Sequence, residues 1–494
     1  MMLYIRMAFL LVISLYTSRV VLTTLGEVDY GLFNVIGGVI ALLGFLNTSM
    51  SVSTSRFITF ALGKNDMKNQ SHVFSTSLQI HFFIALVILL IGETVGLWFV
   101  SNKMTIPADR MSAALWVYQC SIATSIVSVI SVPYNATIIA HEKMSTFAYI
   151  SIYEAVAKLV IVYLLIISPF DKLILYSLLY FLVQLSVRFI YGYYCKSRFS
   201  ATKYVKTKDY DLFKRMISFA GWSLYGSGAV ALSNQGTNIL LNIFYGPAVN
   251  AACGIAYQVR GVLLNFAFNF QTALNPQIIK TYAQKDMLSM YKLIDRSTRI
   301  SFFLLFIIAM PLLMETGELL KFWLKEVPRY TDVFLQLVIV ASLIDTTTNS
   351  LSISALATGI VKKYYLTIGT IFIMIVPISY IALKLGFEAS IVFAVDIILC
   401  SVILVARIFL LHHLIGLDVN SYLKSLLSIF KVVLVSVPIA FFARHLLLPS
   451  SFGGVILVCF ICSLAVTLTA YIFGIEKHER EVINGKIKKI VLKR

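Results

Sequence analysis

Apolar runs of about 20 residues succeed one another along almost the whole chain, separated by short polar connections. A soluble core has no room for so many segments that are apolar on every side. In lipid, backbone polar groups must be satisfied internally, which leaves α-helices or closed β-barrels. Barrel strands are segments of about ten residues alternating in polarity; the runs here are longer and unbroken. The chain therefore reads as an all-α polytopic membrane protein. Only 13% of its 494 residues are charged and the mean hydropathy is +0.87, whereas a soluble domain carries about 25% charged residues. The first run begins almost at Met1 without an A-x-A cleavage site, so it reads as a retained helix.

Allowing about 20 residues per crossing gives about 14 transmembrane helices, expected at 2–24, 31–60, 73–100, 109–132, 146–168, 173–195, 216–244, 249–275, 298–314, 332–358, 364–384, 388–411, 425–444 and 453–474. With the N-terminus in the cytoplasm, the connections carry twenty-six lysines and arginines inside and eight outside, Arg407 being counted with the inner ones. That bias sets the expected orientation, with both termini cytoplasmic. It also gives the net charge of +18 a partner in anionic inner-leaflet lipid and removes nucleic acid from consideration. The longest connection, KSRFSATKYVKTKDYDLFKR (196–215), joins two halves. The outer stretch GELLKFWLKEVPRYT (317–331) reads as a short interfacial helix anchored by Phe322 and Trp323.

A shift of 220 residues superposes the two halves. Thr17 then meets Thr237, Gly26 meets Gly246, Val39 meets Val259, Leu43 meets Leu263, Ile58 meets Ile278 and Asp66 meets Asp286. Both copies run helix, glycine turn, helix, then an exit ending in Asp. The shift spans an even number of helices, so the repeat is parallel. The expected organisation is two six-helix lobes in parallel pseudo-repeat plus two C-terminal helices: 1–205, 206–415, an extra helix pair at 416–475, and a basic tail at 476–494.

Ionisable groups at membrane depth cost about 2.5–3.5 kcal/mol each, so their positions are informative. Asn234, Asn238 and Asn242 repeat at i, i+4, i+8, and Asn265 and Asn269 follow in the next span near Arg260. So many amides with a cation suit a hydrated cavity, the alternative being helix packing. Helix two carries a small and polar stripe, Gly37, Ala41, Gly44, Thr48, Ser51 and Ser55, which suits close packing. Arg19 and Arg56 lie toward the ends of their spans, where they either snorkel or face a cavity. Glu154 and Lys158 form an i, i+4 pair in the favourable order. Asp345 heads the polar break DTTTNS, and Asp396 lies in another span; with Glu154 they are the candidates for carrying a coupling proton or sodium ion. His81 reads as a hydrogen-bonded packing residue.

No catalytic residues are expected. G-x-S-x-G, P-loop and HExxH motifs are absent, and His412-His413 lacks a third ligand. Six cysteines are scattered, and the lone CxxC at Cys459 and Cys462 sits in an apolar run, so no metal site or cofactor is expected.

Several strings resemble a known family. TSRVVLTTLGEVDYGLFNVIGGV, PYNATIIAHEKMSTFAYISIYEAVAKL, NQGTNILLNIFYGPAVNAACGIAYQV, NPQIIKTYAQKD and WLKEVPRYT look like segments of Wzx-type oligosaccharide-lipid flippases, most like those of Bacteroides-type organisms. The resemblance covers about residues 1–360 clearly, and it places the chain in the wider superfamily that includes MATE exporters. It implies two lobes around a central cavity whose arginines engage a pyrophosphate; by position Arg19, Arg56 and Arg260 are the candidates. The chain departs from the pattern at Cys253, where relatives often carry arginine, and at the N-terminus, where a basic lead-in usually precedes the first span.

These readings converge on a flippase that moves an undecaprenyl-pyrophosphate-linked oligosaccharide across the inner membrane for surface-polysaccharide assembly by alternating access. Expected partners are the lipid-linked oligosaccharide, anionic lipid, and a polysaccharide polymerase and glycosyltransferases. The rival within transport is a cation-coupled exporter of the MATE type, which would prefer a carboxylate-lined, aromatic cavity.

Overall fold

The computed structural model describes residues 44–102, 106–206, 209–323, 327–447 and 452–476, with scattered positions before 37 and after 478. Every element among them is helical. The helices are α1 Gly44–Gly63, α2 Met67–Asn102, α3 Met111–Ala140, α4 Met144–Ile167 and α5 Lys172–Arg198. Then come α6 Tyr210–Tyr245, α7 Pro247–Ala283, α8 Met287–Met314, the short α9 Thr316–Trp323 and α10 Thr331–Thr358. The last four are α11 Lys362–Lys384, α12 Ile391–Ile415, α13 Val419–Leu447 and α14 Phe452–Gly474. Among the described residues, 10 helices are long and apolar enough to cross a membrane, so the chain is a polytopic membrane protein. Helices α6 and α7, at 36 and 37 residues, are long enough but more polar. Their asparagines, glutamines and glycines lower the hydropathy.

The repeat is visible in the turns. Gly26 and Gly246 have φ of +80° and +79°, a left-handed conformation that glycine adopts without a Cβ penalty. Thirty-nine residues further on, Asn65 and Lys285 are left-handed, and each is followed by an aspartate that caps the next helix. Asp66 accepts from the backbone N–H of Asn69 and Asp286 from that of Ser289, each at 3.0 Å. The helices that follow keep step, α2 with α8, α3 with α10, α4 with α11 and α5 with α12.

The chain divides into two compact units, residues 1–228 with 279–285, and residues 229–278 with 286–494. In the first, α3 packs along α5, with Tyr134 edge-on to Phe74 and under the Arg188 guanidinium, 3.9 Å away. At one end Arg110 bridges Asp29 and Asp171, the residue that caps α5. At the other end the last turn of α7 meets α1, where a Cβ on Gly63 would stand 2.7 Å from that of Ala283. Beside it Lys280 pairs with Glu142 at 2.6 Å. In the second unit α8, α10, α13 and α14 enclose Leu305, Phe306, Ile339, Val432 and Val458. The expected interfacial helix is α9, with Phe322 and Trp323 exposed and Phe322 packed on Phe452. The start of the C-terminal tail is tied to α8: Arg299 donates to the Gly474 carbonyl and to Glu476.

Candidate functional site

The second unit contains a cavity of about 190 Å³ lined by Arg260 of α7, Asp345 and Asn349 of α10, Asp396 and Arg407 of α12, and Ser233 and Asn234 of α6. Helical spacing aims these groups together. Asp345 and Asn349 are one turn apart, and Asp396 and Arg407 three turns apart, so each pair shares a helix face. Arg260 donates to Asp396 at 3.1 Å. Cys400, one turn beyond Asp396, lies 3.6 Å from the other carboxylate oxygen. Arg407 is buried and donates to the Thr348 hydroxyl, while its Nε has no acceptor. Two guanidiniums thus face two carboxylates, and the cavity is neutral overall.

The polar break DTTTNS is the frame of this site. Thr346, Thr347 and Thr348 bond back to carbonyls of their own helix, a habit that loosens the helical ladder. The carbonyls of Thr346 and Thr347 take donors from other helices. Gln271 of α7 reaches Thr346 at 3.2 Å, and Tyr422 of α13 reaches Thr347 at 2.8 Å. Thr298 of α8 bonds Ser350, and Asn349 donates to Gln271 at 2.7 Å. Four neighbouring helices, counting α12 through Arg407, hold the middle of α10 in place. That rigid backing positions Asp345 and Asn349.

The chain shares its architecture with solved transporters. A crystal structure of a MATE point mutant covers 84% of this chain and 95% of its own at 12% identity, with a TM-score of 0.71. An outward-facing multidrug resistance MATE transporter of the MOP superfamily covers 82% and 92% at 12% identity, TM-score 0.72. The fold is that of MATE transporters. A MOP superfamily transporter from Pyrococcus furiosus, described as having a binding pocket of reverse polarity, matches at 13% identity over 82% of this chain and 93% of its own, with a TM-score of 0.65. No protein-family profile and no curated protein matches the sequence.

Within this MATE-like fold the expected site residues separate. Arg260, Asn234, Asp345 and Asp396 come together in the cavity. Asn238 is half-buried and Asn242 exposed, and neither lines it. Each i+4 step turns about 40° past a full circle, so Asn242 points about 80° away from Asn234. Asn265 is exposed, and Asn269 donates to the Asn265 carbonyl at 2.8 Å. Both point well away from Arg260, by about 140° and 180°. Gln271 is the amide that shares Arg260's face. Arg407, counted at the sequence level as a connection charge, is instead buried inside α12.

In the first unit Arg56 is buried rather than snorkelling, with its guanidinium 4.7 Å from the ring centres of Phe57 and Phe60 and 5.9 Å from Phe219. Such stacking stabilises a desolvated cation by about 1–2 kcal/mol. Glu154 pairs with Lys158 at 2.6 Å and accepts from Gln184 at 2.7 Å, so its carboxylate is engaged inside the helix bundle. His81 bonds the Ser77 carbonyl one turn back. Arg19 lies outside the described residues. Among the described residues no cluster of three metal-ligating side chains occurs.

Proposed function

We propose that this protein is a membrane transporter that flips an undecaprenyl-pyrophosphate-linked oligosaccharide from the inner to the outer leaflet of the bacterial inner membrane by alternating access. The observation that carries the reading is Arg260 in an amide- and hydroxyl-bearing cavity within a MATE-like fold. A pyrophosphate and a sugar chain cannot cross hydrocarbon unaided, and a guanidinium binds phosphate oxygens in pairs. Asn234, Asn349 and Ser233 replace water around the polar headgroup while the lipid tail stays in the bilayer. The family resemblance names Arg19 and Arg56 as further pyrophosphate-binding cations, and both termini face the cytoplasm. Polymerase and glycosyltransferases act on the same substrate, and anionic lipid holds the basic tail.

The test is complementation of a flippase-null strain, with lipid-linked repeat units assayed on each leaflet. Wild type restores outer-leaflet units, and Arg260→Ala lowers the rate at least tenfold. Normal flipping by Arg260→Ala would sink the clamp. The two cavity carboxylates favour one second reading, a proton- or sodium-coupled exporter of the MATE type. That reading requires extrusion of a cationic drug from whole cells, lost in Asp345→Asn or Asp396→Asn.

A further inference from the structure

We infer that the Arg260–Asp396 pair couples anion binding to proton uptake: a phosphate group takes the carboxylate's place on Arg260, and the displaced Asp396 takes a proton from water. The inference rests on the transporter reading above. It assigns the linkage a direction, anion and proton together, and names the residue that carries the proton.

The argument starts from charge. Arg260 and Arg407 balance Asp345 and Asp396 in formal charge, so the cavity lining is neutral. A pyrophosphate diester brings two negative charges and needs the guanidinium that Asp396 occupies at 3.1 Å. If it binds there without a proton, a buried carboxylate loses its partner and faces both Asp345 and the anion. An unpaired buried charge of that kind is disfavoured, and protonation removes it. The balance is simple: the ion pair opens, one proton from water closes onto the Asp396 carboxylate, and the anion forms the new pair with Arg260. Arg407 is placed to share the load, because its Nε has no acceptor and its side chain lines the same cavity.

The surroundings single out Asp396. From α7 it faces Arg260 and Tyr257; from α10, Asp345; from its own helix, Cys400 and Arg407. From α6 and α11 the cavity receives Ser233, Asn234 and Phe372, none of which carries charge near neutral pH. Among the described residues Asp345 forms no salt bridge, and its carboxylate accepts from the Thr348 hydroxyl at 3.5 Å. Displacement by an anion therefore strands Asp396, not Asp345.

UDP-glucose is a suitable probe, because its pyrophosphate diester does not titrate between about pH 5 and pH 8. Binding to the full-length protein in nanodiscs is followed calorimetrically in buffers of different ionisation enthalpy. The expected result is an affinity that rises up to about tenfold per pH unit of acidification, with uptake of about one proton per anion. Asp396→Asn binds the anion without pH dependence or proton uptake. Arg260→Lys weakens binding yet retains the proton linkage, which controls for loss of fold. Asp345→Asn leaves the pH slope in place. A pH-independent wild-type affinity, proton release on binding, no binding by wild type or Asp396→Asn, or a slope lost in Asp345→Asn alone each overturns the proposal. Complementation with a pH-independent affinity would overturn the coupling and keep the flippase. A proton-linked affinity without complementation would do the reverse.

Discussion

Arg260 and Asp396 stand 136 positions apart in the chain and 3.1 Å apart in the folded protein. Removing one partner strands the other in the cavity, whereas removing both does not. Asp396→Ala or Arg260→Ala is expected to lower stability by about 2–4 kcal/mol. The double variant should recover at least half of that loss. Unfolding midpoints in detergent measure all three, and an additive double variant would show that the pair does not interact. The sequence displays each partner as a charge in a span but not the pairing, since nothing local links positions so distant. The asparagines were legible as polar and misleading as a face: equal spacing of four drifts around the helix, so only Asn234 reaches the cavity. Arg407 was hidden by its place near a helix end, although its spacing from Asp396, three full turns, already puts it on that residue's face. His141 shows the same limit at a turn. Burial pushes its pKa down, partly countered by the Thr137 carbonyl, and Lys280 and Lys143 push it lower. The unfolded chain therefore takes the proton first, and the contribution to stability is complete above about pH 6.5 and is lost as pH falls below it. A pH series of thermal midpoints should flatten there in His141→Phe, which keeps the stacking on Phe199.

Helices, turns and caps were the most legible elements. Apolar length gives the spans, glycine and aspartate give the turns, and the break DTTTNS is visible as a run of hydroxyls. Its function as an anchor for four neighbouring helices is not visible, because its partners Gln271, Thr298, Arg407 and Tyr422 are scattered over more than 150 positions. Close approach is equally silent in sequence. Gly63 allows the last turn of α7 against α1, and an added Cβ would stand 2.7 Å from the Ala283 Cβ and 3.0 Å from the Lys280 backbone. Gly63→Ala should therefore cost about 1–3 kcal/mol. Ala283→Gly in that background should restore part of it, the Lys280 backbone still being close. The comparison is read from thermal midpoints by fluorescence-detected size exclusion. A Gly63→Ala protein as stable as wild type would remove the contact from the account.

At the scale of the whole molecule, the scaffold is duplicated and the chemistry is not. The element register pairs Asp345 with Ser125 and Asp396 with Ser177, and the 220-residue sequence shift pairs Arg260 with Ile40, while Arg407 alone meets a like residue, Arg188. Arg188 faces the Tyr134 ring instead of a carboxylate. Duplication explains why helix starts and turn residues recur at nearly the same offset, about 220 residues; divergence explains why the charged quartet belongs to one unit. Alternation of the helices then fixes which turns share a side. If successive spans alternate in direction, the turns at 64–66, 141–143, 284–286 and 359–361 are expected on one side of the membrane, and those at 168–171, 246 and 385–390 on the other. Moving Arg407 from a connection into α12 leaves the excess of lysine and arginine on the first side intact, so that side is expected to be cytoplasmic. Green fluorescent protein fused after residue 285 or 361 should fluoresce, and alkaline phosphatase should be active after residue 170 or 387. Phosphatase activity at 361 would invert the orientation and with it the direction of flipping.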